Sequence, residues 1–330
     1  MPNSVGPASE RPDSGGPNSG GPVDLAACRL CVVGNQTSGR KDAQAQADPI
    51  RKALSGKVAA LEIRLTARGD GIAALARQAV SDGFDIIVAL GGDGTQAAVA
   101  GALAGTDRIM GVLPGGTFNY FARDLGVGET IEDALETILA GHAAPVDIGQ
   151  IDDLVFLNNV SLGIYPHILK TREGIYKRWG RSRIAAYWSV LVALRRLRHP
   201  MQITAIVKGR PQSYSTALVF VARSAYQLDA FGLEGADAVR DGRMAVLIAR
   251  ARRPLPLLRS ALRLAVGLGA KDSDFDLILA DSLVIETRKR RPLIAHDGEK
   301  TRLDSPLDLQ VRHGALTVLV PPVPAGGAGT

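Results

Sequence analysis

A chain of 330 residues is long enough for two domains, and 46% apolar with 22% charged residues is an ordinary globular balance. It holds no run of about 18 uncharged apolar residues, which excludes a membrane-spanning helix. A formal charge of +6 and a pI near 9.5 favour acidic partners such as nucleic acid or anionic lipid.

Residues 1–24 are expected to be a disordered tail on a cytoplasmic protein. Met1 to Pro22 is rich in Pro, Gly, Ser and Asn and has no apolar core, so it is neither a signal peptide nor a foldable segment. Cys28 and Cys31 form a lone C-x-x-C, which raises a redox or zinc role. They lie in a predicted strand, where positions three apart point to opposite faces, and neither a second Cys pair nor a nearby His completes a metal set. Buried strand cysteines are the expectation.

From Leu30 strands and helices alternate. Leu30–Val33 is a predicted strand ending in the polar turn Asn35-Gln36-Thr37-Ser38-Gly39, and a helix is expected over 43–54. Ala59–Thr66 alternates as a strand and Ile72–Ser81 as a helix. Ile86–Leu90 is a wholly apolar strand that runs into Gly91-Gly92-Asp93-Gly94-Thr95, with a helix to Leu103 behind it. Arg108–Leu113 is the next strand and ends in Pro114-Gly115-Gly116-Thr117-Phe118-Asn119, followed by short helices over 121–125 and 131–140. This alternation implies an α/β domain over residues 25–149, with a mostly parallel sheet and helices on both faces.

In such a sheet a ligand lies beyond the carboxyl ends of the strands, where three of these turns end. Glycines remove the β-carbons that would hold a polyphosphate away, so several N–H groups can converge on one anion, and the following helix adds its dipole. Asp93 is the odd member, because a carboxylate repels phosphates. The repulsion disappears if Asp93 holds Mg²⁺ or takes the proton of an attacking hydroxyl, both phosphotransfer roles. Thr95 is expected to cap the helix and to offer its hydroxyl to a phosphate. A purely structural turn capped by Asp93 and Thr95 is the alternative.

Residues 150–330 change to strand-like runs at 154–161, 202–208, 216–222, 244–249, 282–287, 307–311 and 316–320, with turn signals at Asp241-Gly242 and Asp297-Gly298. A second, mostly antiparallel β-rich domain is expected. Periodicity does not say whether its last strand returns to the first domain. Between Lys170 and Pro200 nine Lys and Arg face one acid, Glu173, and further basic groups stand at Arg250–Arg263 and Arg288–Arg291. Ile184, Tyr187, Trp188, Leu191 and Leu194 form one helical stripe, and Leu255, Leu258, Leu262 and Ala265 form another. A packed helix and an interfacial one are both open. Two basic amphipathic stretches without a stacking platform favour an anionic membrane surface over nucleic acid. A homodimer is compatible with the sequence.

With these residues in view, the chain resembles the diacylglycerol kinase catalytic-domain family, which includes bacterial lipid kinases and sphingosine kinases. The resemblance covers about residue 28 to residue 320. It is carried by Gly91–Thr95, Leu113–Arg123, Asn35–Gly39, Phe156-Leu157-Asn158-Asn159 with Gly163, Asp241-Gly242 and Asp297-Gly298-Glu299. It implies an ATP- and Mg²⁺-dependent kinase acting on a diacylglycerol-like or sphingoid hydroxyl at a membrane surface. Asn35, Ser38, Gly39, Thr66, Gly91–Thr95, Gly115, Gly116, Thr117 and Asn119 are then nucleotide-binding positions, and Asp93 is the metal residue. Glu299 becomes the general base, with Asp297 supporting it or the metal. The chain departs from the family pattern at Ala97 and Ala98, where Asn and Glu are usual, at Tyr120, where Asp is usual, and at Gln36. The alternatives are a catalytically weak or inactive regulator that binds nucleotide or lipid, and an NAD kinase, which shares the first motif. The segment Gln227–Arg243, a structural Mg²⁺ loop in some bacterial members, has no clear ligand pattern here.

Overall fold

The computed structural model describes residues 21–35, 43–67, 71–164, 200–250 and 274–322. Ser38, Gly39 and both basic amphipathic stretches, at 184–198 and 254–268, lie outside the described residues. Gly21–Pro22 (β1) pairs with His142 and Ala143, and Asp24 caps a 3-10 turn at Leu25–Ala27. Val23 and Leu25 pack against the core, so structure starts inside the stretch expected to be tail, residues 1–24.

Four parallel strands lie in the order β3-β2-β4-β5: β2 (Arg29–Asn35), β3 (Ala60–Thr66), β4 (Ile86–Gly91) and β5 (Ile109–Pro114). Their helices are α1 (Ala43–Leu54), α2 (Ile72–Ser81), α3 (Asp93–Leu103), α4 (Tyr120–Asp124) and α5 (Ile131–Ala140). The period-2 alternation of β2 explains the layers. Leu30 and Val32 pack with Ile50 and Leu54 of α1 and Ile138 of α5, whereas Cys31 and Val33 pack with Ile72 and Ala76 of α2 and Val99 of α3. Every residue of β4 is buried because both faces are covered. Cys28 and Cys31 are free, and burial pushes the Cys31 thiol up to about 11.

The second half holds β6 (His142–Ile151), β7 (Leu154–Phe156), β8 (Asn159–Gly163), β9 (Met201–Val207), β10 (Arg210–Thr216) and β11 (Leu218–Ala222). Helices α6 (Ala225–Phe231) and α7 (Ala236–Arg240) follow, and then β12 (Met244–Ala249), β13 (Phe275–Ala280), β14 (Ser282–Thr287), β15 (Leu293–His296), β16 (Glu299–Arg302) and β17 (Leu307–Leu319). A division between residues 149 and 150 falls inside β6. The two strands expected at 307–311 and 316–320 are one strand, irregular between Arg312 and Leu316 in its pairing with β6. Its early residues pair antiparallel with β14, and Thr317 and Val318 pair parallel with Ile109 and Met110 of β5.

The chain end therefore enters the first sheet, whose main path reads β10-β9-β14-β17-β5-β4-β2-β3. The second sheet, β13-β12-β11-β8-β15-β16, is antiparallel throughout. Its Val160, Val219, Val246 and Ile294 pack against Ile203, Leu283, Ile285 and Leu309 of the first sheet. The architecture is the expected one, a parallel α/β part followed by a mostly antiparallel β-rich part. Leu157 and Asn158 carry the chain from β7 in one sheet to β8 in the other. Among the described residues no helix is long and apolar enough to cross a membrane.

Candidate active site

The parallel register brings the carboxyl ends of the strands level: Asn35 pairs with Thr66, Gly34 with Leu90, and Gly91 with Pro114. The turns after β4 and β5 consequently touch. A β-carbon on Gly116 would stand 2.6 Å from Gly92 Cα, and one on Gly92 would stand 3.0 Å from Gly116 Cα. The Gly115 N–H donates to Gly91 O at 2.9 Å. Asn119, in the left-handed region at φ 51°, closes the second turn, accepting from Gly116 N at 2.9 Å and donating to Gly116 O at 3.1 Å. Two glycine motifs far apart in sequence form one continuous wall.

Helix α3 starts at Asp93, with Gly92 at the cap position and no side chain capping it. Thr95, expected to be the cap, instead lies in the first turn and donates its N–H to Gly92 O at 2.9 Å. The extended Gly92 has already begun the helix, which leaves the Thr95 hydroxyl against Gly91, 2.5 Å from where a Gly91 β-carbon would stand. Gln96, which sequence reasoning passed over, is wholly buried and donates Nε2 to Gly91 O at 3.0 Å. Ala97 and Ala98 pack with the core, so the polar brace of this turn is Gln96.

Asp93 is held by three donors. Its Oδ2 accepts from Asn119 N at 3.0 Å, and its Oδ1 accepts from Tyr120 N at 2.7 Å and from Asn158 Nδ2 at 3.2 Å. Asp297 is held by three more: Oδ2 accepts from Leu157 N at 2.7 Å, and Oδ1 from Asn158 N at 2.8 Å and Asn159 N at 3.1 Å. Burial raises the Asp297 carboxyl to about 6 against the opposing pull of those N–H groups, and the Asp93 charge adds to the rise. Asn158 thus joins both carboxylates, and its own carbonyl accepts from Arg223 N at 2.8 Å and Ser224 N at 3.2 Å. The Phe156–Asn159 motif was visible in the sequence, but no periodicity could assign Asn158 this bridge.

Asp297 and Gly298 form the two-residue loop between the paired His296 and Glu299, at φ 43° and 85°. Two positive φ values are what a tight hairpin needs and what Asp-Gly supplies. The next residue, Glu299, is exposed, and its Oε1 lies 3.5 Å from a β-carbon built on Gly94. The hairpin from the end of the chain therefore stands over the first turn of α3. The two acids differ in what they can do. Asp297 gives both oxygens to backbone N–H groups, whereas Glu299 is exposed beside Gly94.

Asn35 and Thr66 end their strands side by side, and Thr66 Oγ1 faces Gly71 at the start of α2, 2.9 Å from an ideal β-carbon there. Thr117 is exposed beside Gly116. Tyr120 stacks on Phe118 with ring centroids 5.4 Å apart and planes 5° apart, and it also meets Tyr226 at 6.4 Å and Phe231 at 6.1 Å. Phe118 is 53% exposed, so an aromatic wall flanks the second turn. At the Asp241-Gly242 turn Arg243 pairs with Asp241 at 3.6 Å, and nearby Arg223 donates to Val239 O at 2.9 Å and pairs with Asp147 at 3.3 Å.

The sequence profile of the diacylglycerol kinase catalytic domain matches residues 29–151, and that of the YegS C-terminal NAD kinase beta sandwich-like domain matches residues 166–320. The chain is 38% identical over 134 residues to a diacylglycerol kinase of Bacillus subtilis, covering 39% of this chain and 44% of that protein. It is 38% identical over 85 residues to a diacylglycerol kinase of Staphylococcus aureus, covering 25% of this chain and 27% of that protein. The chain spans less than half the length of these curated relatives. A crystal structure of a diacylglycerol kinase from Bacillus anthracis overlays with a TM-score of 0.65 at 21% identity, covering 89% of this chain and 97% of that one. At that identity the likeness is one of fold.

Proposed function

We propose that this chain, which belongs to the diacylglycerol kinase catalytic-domain family, transfers the γ-phosphoryl group of ATP to the hydroxyl of a diacylglycerol-like or sphingoid lipid. The observation that carries the reading is the position of Glu299 over Gly94, which sets an open carboxylate from one half against a glycine-walled helix start from the other. The first N–H groups of a helix have no carbonyl one turn back, so those of Asp93 and Gly94 are directed at an incoming phosphate, while that of Thr95 bonds Gly92 O. Asn35, Thr66, Thr95 and Thr117 supply further polar atoms along the same edge.

An alcohol is a poor nucleophile until its proton has somewhere to go. Glu299 accepts that proton as the phosphoryl group transfers, while Asp297 fixes the crossing segment beneath it. Asp93 keeps one unused lone pair on Oδ2, and the buried Asn158 Oδ1 has no protein partner, a donor set that fits Mg²⁺ carried by the nucleotide. When bound, that ion neutralises charge that builds up on the transferring phosphoryl oxygens. The lipid is met at the membrane surface, to which the basic stretches outside the described residues attach the protein.

The test is transfer of labelled phosphate from ATP to a panel containing diacylglycerol, ceramide, sphingosine and NAD. Turnover on a lipid that Glu299→Gln abolishes supports the reading. Intact ATP binding with no turnover on any lipid overturns it in favour of a nucleotide-binding regulator, and turnover on NAD alone overturns it in favour of an NAD kinase.

A further inference from the structure

We infer that Asn158 is a cation ligand, its side-chain oxygen meeting from the second half a divalent ion that Asp93 meets from the first. The inference rests on the kinase reading and assigns that reaction a residue from the sheet-crossing segment.

Asn158 is 1% exposed, and its Oδ1 is buried without a partner. A buried amide oxygen with nothing to accept from costs stability and calls for an explanation. The orientation of the amide is fixed by its neighbour. Nδ2 donates to Asp93 Oδ1 at 3.2 Å, and turning the amide over would set oxygen against carboxylate oxygen. Nδ2 is thus the atom that faces Asp93, and Oδ1 of the same amide is the atom left without a partner.

The charge around it points to the ligand. The six bonds described above bring only neutral donors to the Asp93 and Asp297 carboxylates, namely four residues' backbone N–H groups beside the Asn158 side chain and its own N–H. Two carboxylates bonded to the one residue Asn158, with uncharged donors around them, make a place that attracts positive charge. A neutral oxygen with no donor to satisfy it is a hard ligand for such a charge. Among the described residues no three His, Cys, Asp or Glu side chains gather as a metal site of their own. A cation here needs neutral oxygens and substrate phosphates to complete its shell, which is how Mg²⁺ is held in nucleotide sites. Because Asn158 lies where the chain changes sheets, the ion would also join the two halves whenever nucleotide is present.

The experiment titrates Mn²⁺ into the full chain with a non-hydrolysable ATP analogue and follows the free ion by electron paramagnetic resonance. Asn158→Ala is expected to weaken Mn²⁺ binding at least about tenfold. If Asn158→Ala does not fold, wild-type protein carrying carbon-13 asparagine decides the matter through a hyperfine coupling between Mn²⁺ and a ligating amide. Unchanged Mn²⁺ affinity in the folded Ala variant, or no coupling in the labelled protein, overturns the inference. Nucleotide binding that ignores Mn²⁺ also overturns it but leaves the kinase reading standing, and a wild-type chain that binds no nucleotide removes both.

Discussion

Gly92 and Gly116 lie backbone against backbone, so a β-carbon on Gly116 would collide with Gly92 and one on Gly92 would press tightly on Gly116. Neither strand end can move without moving its neighbour. Gly116→Ala should therefore separate the two turns, lowering stability by about 1–3 kcal/mol as overpacking does and weakening ATP binding at least about tenfold through loss of converging N–H groups. Gly21→Ala is the control, since nothing lies within 4 Å of that position. Thermal melting and equilibrium nucleotide binding check both effects, and a Gly116→Ala protein with wild-type ATP affinity would show that the two turns act independently.

Much of this was legible in the sequence because it is written in local pattern. The helices at 43–54, 72–81 and 131–140 follow from apolar spacing, and β4 from an unbroken apolar run. Asp297-Gly298 announces its own turn. What was not legible depends on partners. Strand β10 is mostly polar and half exposed, so it carries no apolar period and exists by pairing with β9. Strands β15 and β16 are too short to show alternation, and α6 and α7 too short to show a helical period. The same limit applies at the site. The glycine motif marked Asp93 and the family resemblance marked Glu299, but Asn158 and Gln96 act through contacts with residues distant in sequence or fixed only once the turn forms.

The difference between Asp297 and Glu299 can be separated by substitution. Glu299 is exposed, so Glu299→Gln should alter stability by no more than about 0.5 kcal/mol while lowering kcat by roughly 10²–10⁴ through loss of the proton acceptor. Asp297 is buried and satisfies three backbone N–H groups, so Asp297→Asn leaves at least one of them without an acceptor. It should cost about 1–3 kcal/mol of stability. Melting curves beside single-turnover rates distinguish the two, and the assignment is reversed if Glu299→Gln unfolds the protein while Asp297→Asn leaves its stability untouched.

The Asp297 carboxyl also sets a pH dependence. Its folded pKa of about 6 lies above the unfolded value of about 3.9, so the folded state binds the proton more tightly and the stability from this group grows as pH falls from about 6 towards 4. His296 works the other way, because burial lowers its pKa and stability is lost as pH falls through the ordinary imidazole range. Both proteins of a wild-type and Asp297→Asn pair share that histidine, so it cancels in the comparison. The gap in melting temperature between them should be wider at pH 4.5 than at pH 7.5, and a gap that is constant or narrower at the acidic end contradicts the assignment.

Tyr120 stands where the family usually has Asp, which invites the expectation that restoring the acid would raise activity. The structure argues the reverse. The Tyr120 ring lies flat on Phe118 and meets Tyr226 and Phe231, while its backbone N–H makes the shortest of the three bonds to Asp93. Removing the half-buried ring strips the packing beside Asn119 and loosens the loop that orients Asp93. Tyr120→Ala should lose about 1–3 kcal/mol of stability, less than the truncation of a fully buried aromatic. Tyr120→Asp should lose a similar amount, because it gives up the three ring contacts and sets a carboxylate among them, which Arg123 beside Tyr226 offsets only in part. Both variants should turn over more slowly than the parent at temperatures where they remain folded, whereas Tyr120→Phe keeps the stack and most of the rate. Melting and initial-rate measurements on the three variants decide the point: a Tyr120→Asp protein faster than the parent would show that the aromatic wall restrains catalysis rather than supporting the site.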